Sequence, residues 1–257
     1  MGSTTITRAI RNVRKDSSVK AVVLRIDSGG GLVVAADTIW RELIRLKAVK
    51  PLVVSMGDVA GSGGYYIAAP ADVIVAEPGT ITGSIGVVSG KYSFKGLYNK
   101  IGLNKEIIKR GKHADFYTDY GDYPVEEREI IHAQIKEIYE DFIGKVAEGR
   151  GMTKEAVDQI GRGRIWTGQQ AKEIGLVDEL GGLNLALLIA RKKAGLVRKE
   201  VQLIRLPKRG AWEQWLEGFN TVRLMRSPAN WKFPTLAEAI MAHRTFLVMP
   251  YNVRVNN

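Results

Sequence analysis

The stretches VVLRIDSGGG (residues 22–31) and LVVSMGDVAGSGGYYIAA (residues 52–69) decide the fold class. Each begins with a short, nearly continuous apolar run rich in β-branched residues, which is typical of a strand covered on both faces. Between them, residues 33–47 place apolar side chains at helical spacing on one face. A further apolar run, residues 73–76, follows a helical stretch that starts near Ser62. This order predicts an α/β fold with a parallel sheet and right-handed crossover helices.

The downstream pattern predicts where this domain ends. A long amphipathic helix is expected over residues 125–149, a helix capped by Thr167 follows, and residues 183–194 form another helix. After residue 206 the periodicity weakens, and Trp and Pro are scattered among basic residues. We therefore predict one domain over residues 4–206 and a basic, Trp-containing C-terminal extension over residues 207–257.

Composition excludes several classes of protein. With 257 residues, 45% apolar and 25% charged, the chain is neither disordered nor fibrous. It has no apolar run of about 18 residues and no apolar signal-sequence core near its start, so we expect a soluble chain. The net charge of +11 suits an anionic surface, but no nucleic-acid-binding motif accompanies it, so no nucleic acid is expected. The absence of Cys removes thiol nucleophiles, Cys-based zinc sites and disulfides.

A serine flanked by glycines is the first candidate for chemistry. Ser62 lies in GSGGYYIA, where a strand and a short loop lead into a helix. Small neighbours leave its hydroxyl uncovered and allow a substrate backbone to approach, and N–H groups at a helix start favour a developing oxyanion. The alternative interpretation is that Ser62 caps the helix and the glycines only allow close packing.

A second glycine-rich turn, residues 27–31, follows the first strand at its C-terminal end, where open α/β sheets bind their ligands. Three consecutive glycines allow unusual dihedral angles and expose N–H groups, although a flexible turn has the same composition. If the two turns converge, one supplies a hydroxyl and the other an N–H. Together they predict an acyl-transfer site.

The base that would activate Ser62 is harder to find. The histidines are His113, His132 and His243, and only His113 lies among polar loop residues, where a surface turn is the alternative. A Ser–His–Asp triad is therefore not supported. A lysine whose pKa is lowered by burial is the remaining option.

Three motifs carry a family resemblance: VKAVVLRIDSGGG (residues 19–31), KPLVVSMGDVAGSGGYYIAAPADVIVAEPGTITGSIGV (residues 50–87) and GRIWTGQQAKEIGLVDELGG (residues 163–182). From about residue 5 to residue 194 the chain resembles the signal peptide peptidase A (protease IV) family of Ser–Lys serine peptidases. The resemblance implies a crotonase/ClpP-like fold, no cofactor and no metal. It also implies degradation of signal peptides and other apolar peptides at a membrane, by an extracytoplasmic, membrane-anchored domain that forms homo-oligomers or assembles with a lysine-bearing half.

The resemblance also implies roles for individual residues. Ser62 corresponds to the nucleophile of the family. The oxyanion hole would consist of the N–H of Ser62 or Gly63 together with that of Gly30 or Gly31. Ser84, in the motif TGSIG, would help to orient the general-base lysine.

The chain lacks the general-base lysine of the family. Ala114 stands at the position aligned with that lysine, and Lys112 lies two residues before it. The strand that usually opens the family domain is missing, and Gly29 replaces a Pro usual in the glycine turn. The chain most resembles the serine-bearing C-terminal half of a double-length form, whose lysine stands in the first half; the alternative is a short form with Ala in place of Lys. We expect the chain alone to be nearly inactive.

Two other functions stay open at this point. A non-catalytic module that binds peptides or assembles with a partner needs no base. A crotonase-type acyl-CoA enzyme needs no serine nucleophile and would bind CoA. The tryptophans of the extension, Trp212, Trp215 and Trp231, either dock on a partner subunit or a lipid interface, or belong to a surface-packed segment.

Overall fold

The computed structural model describes residues 2–197 and 199–207 and the backbone of residues 245–248. The helices of this part are α1 Ser3–Lys15, α2 Val33–Lys47, α3 Gly63–Ala68, α4 Lys95–Lys100, α5 Val125–Arg150, α6 Lys154–Ile160, α7 Gly168–Glu173 and α8 Leu183–Lys193. The strands are β1 Val22–Ser28, β2 Gly30–Leu32, β3 Leu52–Gly61, β4 Val73–Ala76, β5 Ile81–Gly83, β6 Val88–Ser89, β7 Ile165–Thr167, β8 Glu179–Leu180 and β9 Thr245–Val248. The helices predicted near residues 33, 63, 125, 168 and 183 are all present.

The larger sheet is built around the long strand β3. Strand β1 pairs with one edge of β3, while β4 and β5 pair in turn with the first and second halves of the opposite edge, all in parallel. Strand β8 extends the sheet in parallel beyond β4, and β7 lies antiparallel to β5. The predicted α/β class is confirmed, and the sheet is mixed because the strand that precedes α7 runs antiparallel.

The apolar run of β3 is continuous because both faces of the strand are covered. Val53 packs against Ala186 and Ala190 of α8. Its neighbour Val54 belongs to the larger core cluster, which includes Leu43 of α2. Side chains alternate between the two faces along a strand, so a strand between two helix layers has no polar face.

The end of α5 packs tightly against α3. A Cβ atom at Gly149 would lie 2.2 Å from the carbonyl oxygen of Ala69, whereas at Gly144 it would meet only the side-chain end of Lys154, at 3.1 Å. Only glycine therefore fits at position 149. The helix ends at Arg150 and is capped by Gly151, whose φ of 64° is the left-handed conformation common after a helix C-terminus.

A buried carboxylate joins α1 to α2. Glu42 is 2% exposed and accepts a hydrogen bond from Arg45 Nη1 at 2.9 Å, and its Oε1 lies 3.1 Å from Arg11 Nε. Burial acts to raise the pKa of Glu42, but the two arginines outweigh it and hold this pKa below its ordinary value. The ion pairs therefore stabilise the packing of α1 on the domain.

A smaller antiparallel sheet has the strand order β2, β9, β6. Strand β9 belongs to the segment predicted as the extension, 207–257, and of that segment the structure describes only this strand and residue 207. Trp212, Trp215 and Trp231 lie outside the described residues, so their docking and the domain boundary stay predictions. Within the described ranges, no helix combines the length and apolar character needed to cross a membrane.

Candidate active site

Ser62 occupies a strained turn between β3 and α3. Its φ of 53° and ψ of −119° lie outside the regions that residues with a side chain normally occupy. Two hydrogen bonds hold this turn: the Ser62 N–H donates to the carbonyl of Gly83 at 2.9 Å, and the Ser62 carbonyl accepts from the N–H of Tyr66 at 2.9 Å. Backbone strain that the surroundings enforce in this way is concentrated at functional sites.

The Ser62 hydroxyl is buried and unpaired. The residue has no exposed surface, and among the described residues Oγ has no hydrogen-bond partner. The side chain does not cap α3, so the alternative interpretation as a helix cap is not supported. The expectation of an uncovered hydroxyl was wrong, because the surrounding chain covers the residue completely. A buried hydroxyl without a partner costs about 1 to 3 kcal/mol, and packing gives no reason to retain it.

The two glycine turns converge on this serine. A Cβ atom at Gly63 would lie 3.2 Å from the nitrogen of Gly31, and one at Gly64 would lie 2.7 Å from the carbonyl oxygen of Ser28. The backbone of residues 28–31 therefore lies directly against the first turn of α3. Glycine is required at position 64 because any side chain would collide with this backbone.

The hydrogen bonds distinguish among the candidate oxyanion donors. The N–H of Ser62 is already bonded to Gly83, and the N–H of Gly30 donates to Ser28 Oγ at 3.2 Å. Gly63 and Gly31 stay candidates as a pair, because a Cβ atom on Gly63 would lie 3.2 Å from the Gly31 nitrogen. Sequence reasoning missed the Ser28 hydroxyl, although a serine in a glycine turn commonly bonds to the backbone two residues on.

Ser84 lies next to Gly83, whose carbonyl accepts the hydrogen bond from the Ser62 N–H. It follows Gly83, is 1% exposed, and donates its N–H to the carbonyl of Arg164 at 2.7 Å. Its φ is 48°, so it is a second residue with a side chain in a strained conformation at this site. The structure thus brings Ser84 to the neighbourhood of Ser62.

None of the candidate bases that the structure describes is hydrogen-bonded to Ser62. Ala114, at the position of the missing lysine, is exposed. Lys112 is 70% exposed, and its Nζ lies 2.5 Å from Glu126 Oε1. His113 Nδ1 lies 3.3 Å from Glu127 Oε1. Lys112 and His113 line a cavity of about 330 Å³ whose wall does not include Ser62. Of the other histidines, one is exposed on α5 and the other lies outside the described residues.

A lysine network behind α3 was not predicted. Lys145 Nζ of α5 lies 2.8 Å from Asp37 Oδ1 of α2, 2.6 Å from Tyr66 Oη of α3 and 2.5 Å from Asp141 Oδ2. Burial, and then the charges of Asp141 and Asp37, raise the pKa of Tyr66 far above its ordinary value. The network ties the helix that follows Ser62 to two neighbours. No local pattern predicts the whole network, because Asp37, Tyr66 and the Asp141–Lys145 pair of α5 are far apart in the chain.

Comparison with known structures confirms the ClpP-like fold. A ClpP1 mutant from Listeria monocytogenes matches with a TM-score of 0.50 and 18% identity, over 72% of this chain and 86% of that one. This similarity concerns the fold alone.

Sequence comparisons identify the family. A serine protease SPPA of the chloroplast, from Arabidopsis thaliana, is 43% identical over 201 residues, which is 77% of this chain and 30% of that protein. Protease 4 from Salmonella typhi is 40% identical over 197 residues, or 76% of this chain and 32% of that protein. The chain thus spans about a third of the length of these relatives. Residues 44–197 match the model of peptidase family S49, and the chain therefore belongs to this family.

Proposed function

We propose that the chain is the serine-bearing unit of a Ser–Lys endopeptidase and that Ser62 is its nucleophile. The observation that carries the proposal is the buried, unpaired hydroxyl on a strained turn that faces a glycine-rich backbone. A hydroxyl kept in this state at a cost to stability is typical of a group with a chemical role. Family membership favours peptide bonds over acyl-CoA thioesters as the substrate.

The reaction follows from these positions. Ser62 Oγ attacks the carbonyl carbon of a peptide bond and its proton passes to the base, which then protonates the leaving amine. The N–H groups of Gly63 and Gly31 stabilise the oxyanion of the tetrahedral intermediate. Water then hydrolyses the ester on Ser62. Ser84 orients the amine of the base lysine.

The base comes from outside the described part of this chain. No described group lies within hydrogen-bond distance of Ser62 Oγ, and Ala114 stands where the family resemblance places the lysine. General-base assistance is worth about 10² to 10⁴ in rate, and an oxyanion hole does not replace it. In this proposal the chain alone is nearly inactive, and a lysine-bearing half completes the site.

Assembly and substrate class follow from the apolar surface and the family. Three large apolar side chains in the segment that precedes position 114 are strongly exposed: Leu97 at 52%, Ile101 at 64% and Ile108 at 92%. Large exposed apolar patches mark protein or membrane contacts. We propose that this face binds the partner that supplies the lysine, and that the substrates are signal peptides and other apolar peptides at a membrane.

Introducing the lysine tests the proposal. Ala114→Lys, or mixing with a lysine-bearing half, should start hydrolysis of a fluorogenic apolar peptide ester, with a rate that rises near neutral pH as the amine loses its proton. Adding Ser62→Ala to that variant should abolish turnover, whereas adding Lys112→Ala should leave it intact. Equal turnover by the unmodified chain, silenced by Lys112→Ala, would show that the base has been misplaced.

The second candidate is a non-catalytic peptide-binding or assembly module, which the missing base favours. It predicts that an apolar peptide binds but is not cleaved, either with Ala114→Lys or with an added lysine-bearing half. Titration with acetyl-CoA tests the third possibility, an acyl-CoA enzyme.

A further inference from the structure

Three residues with side chains occupy strained backbone positions in the described part of the chain. Ser62, Ser84 and Arg162 have φ angles of 53°, 48° and 57°, and every other positive φ there belongs to a glycine. The first two lie at the proposed active site, but Arg162 lies between α6 and β7, in residues 161–164, here called the arginine turn. A residue with a side chain persists in this conformation only where its surroundings enforce it. The strain at Arg162 therefore has to be explained by the residues around it.

The arginine turn is bonded to the segment that contains Ser84. The Ser84 N–H donates to the carbonyl of Arg164 at 2.7 Å, and the N–H of Gly163 donates to the carbonyl of Ile85 at 2.8 Å. These two hydrogen bonds hold Ser84 and the residue that follows it. The residue before Ser84 accepts the hydrogen bond from the Ser62 N–H at 2.9 Å. The arginine turn, Ser84 and the proposed nucleophile are thus connected through consecutive backbone hydrogen bonds.

A closed ring of hydrogen bonds, here called the Tyr139–Asp158 lock, holds Arg162 in its strained conformation. The Arg162 N–H donates to Tyr139 Oη at 3.1 Å, and Tyr139 Oη donates to Asp158 Oδ1 at 2.7 Å. The guanidinium closes the ring, because Arg162 Nε donates to Asp158 Oδ2 at 3.1 Å. The hydrogen bonds from Arg162 and Tyr139 lower the pKa of Asp158 to about 2, so the carboxylate stays charged throughout the pH range of an enzyme assay. The lock joins the arginine turn to α5 and α6.

We propose that Tyr139 and Asp158 position Ser84 through the arginine turn and thereby set the orientation of the base lysine. This role rests on the proposed function, in which Ser84 orients that lysine. Close packing supports it, since a Cβ atom at Gly86 would lie 2.9 Å from the backbone of the arginine turn, which therefore cannot shift without moving the chain after Ser84. A displacement of about 1 Å in a group that orients reactants costs about 10² in rate. Tyr139 and Asp158 act through Ser84 and are positioning residues.

Hydrogen exchange tests the lock in the unmodified chain, without an assay of activity. Tyr139→Phe leaves the Arg162 N–H without its acceptor and should speed exchange of the Ser84 N–H about threefold to tenfold, as measured by NMR. The control is Thr153→Ala, which removes the N-cap hydrogen bond of α6 and a similar amount of stability without touching the lock. Each rate is divided by that of the Asp72 N–H, which is bonded to β3, so that the effect of global unfolding cancels. Only Tyr139→Phe should raise this ratio.

Kinetic measurements test whether the lock acts through Ser84. In the Ala114→Lys variant, Tyr139→Phe should lower kcat about tenfold to hundredfold and leave KM within about twofold. With Ser84→Ala also present, Tyr139→Phe should lower kcat by less than about twofold, because the residue through which it acts no longer orients the lysine. Thr153→Ala should leave kcat unchanged in both backgrounds.

Three results would overturn the inference: equal acceleration of Ser84 exchange by Tyr139→Phe and Thr153→Ala, a kcat that Tyr139→Phe leaves unchanged in an active Ala114→Lys variant, or equal losses of kcat with and without Ser84→Ala. The proposed function fails separately. If Ala114→Lys never hydrolyses an ester, the nucleophile assignment falls, while selective acceleration of exchange still shows that the lock holds Ser84.

Discussion

The strained turn at Ser62 makes a prediction about stability that is independent of any assay of activity. Its φ of 53° and ψ of −119° are accessible to glycine and costly for other residues, by about 1 to 3 kcal/mol. Ser62→Ala and Ser62→Gly both remove the unpaired hydroxyl, so the difference between them isolates the backbone. Only the glycine variant relieves the strain.

The expected magnitude follows from two opposing terms. Relief of strain favours Ser62→Gly by about 1 to 3 kcal/mol, and the greater freedom of glycine in the unfolded chain opposes it by about 0.5 to 1 kcal/mol. We expect Ser62→Gly to be more stable than Ser62→Ala by about 1 kcal/mol. For a chain of this size that is a difference in Tm of about 2 to 4 °C.

Thermal unfolding of the full chain, followed by circular dichroism, measures this difference. The matched control is Ser55, which is also fully buried but lies inside β3 and accepts a hydrogen bond from Arg25. There, Ser55→Gly should be less stable than Ser55→Ala by about 0.5 to 1 kcal/mol. If glycine destabilises position 62 as it destabilises position 55, the turn stores no strain, and the argument from strain to function is refuted.

The remaining predictions concern the packing of α5 and one buried charge. Gly149→Ala should lose about 2 kcal/mol or more of unfolding free energy in urea, because its Cβ collides with a backbone carbonyl, whereas Gly144→Ala should gain about 0.5 to 1 kcal/mol from helix propensity; an equal gain at both would refute the close contact. Glu42→Gln should lower the unfolding free energy by about 1 to 2 kcal/mol at pH 7. Because the folded pKa of Glu42 lies below its value in the unfolded chain, this stabilisation is present above about pH 4.5 and is lost as the pH falls through the folded pKa, so the gap between variant and parent should narrow in acid. A gap that does not change with pH would show that the carboxylate charge is not responsible.

Much of the site was predictable because its signals are local. Glycines before and after Ser62, at the end of an apolar strand, indicate a sharp turn, and the glycines of residues 27–31 indicate a second one. That the turns meet follows from the parallel order of β1 and β3, since parallel strands end at the same edge. The exposure of Ser62 was not predictable, because the chain that buries it is distant in sequence.

The sequence by itself determined the order of β1, α2, β3, α3 and β4, the later helices α5, α7 and α8, the α/β class and the place of Ser62. It could do so because periodicity, capping residues and glycine turns act over a few neighbouring residues. The tertiary structure decided which N–H groups are already bonded, that Lys112 pairs with Glu126, that Gly149 must be glycine, and that β9 pairs with β2 next to the glycine turn. Each of these depends on contacts between residues far apart in the chain. Their geometry exists only once the packed core has fixed where the separate elements lie.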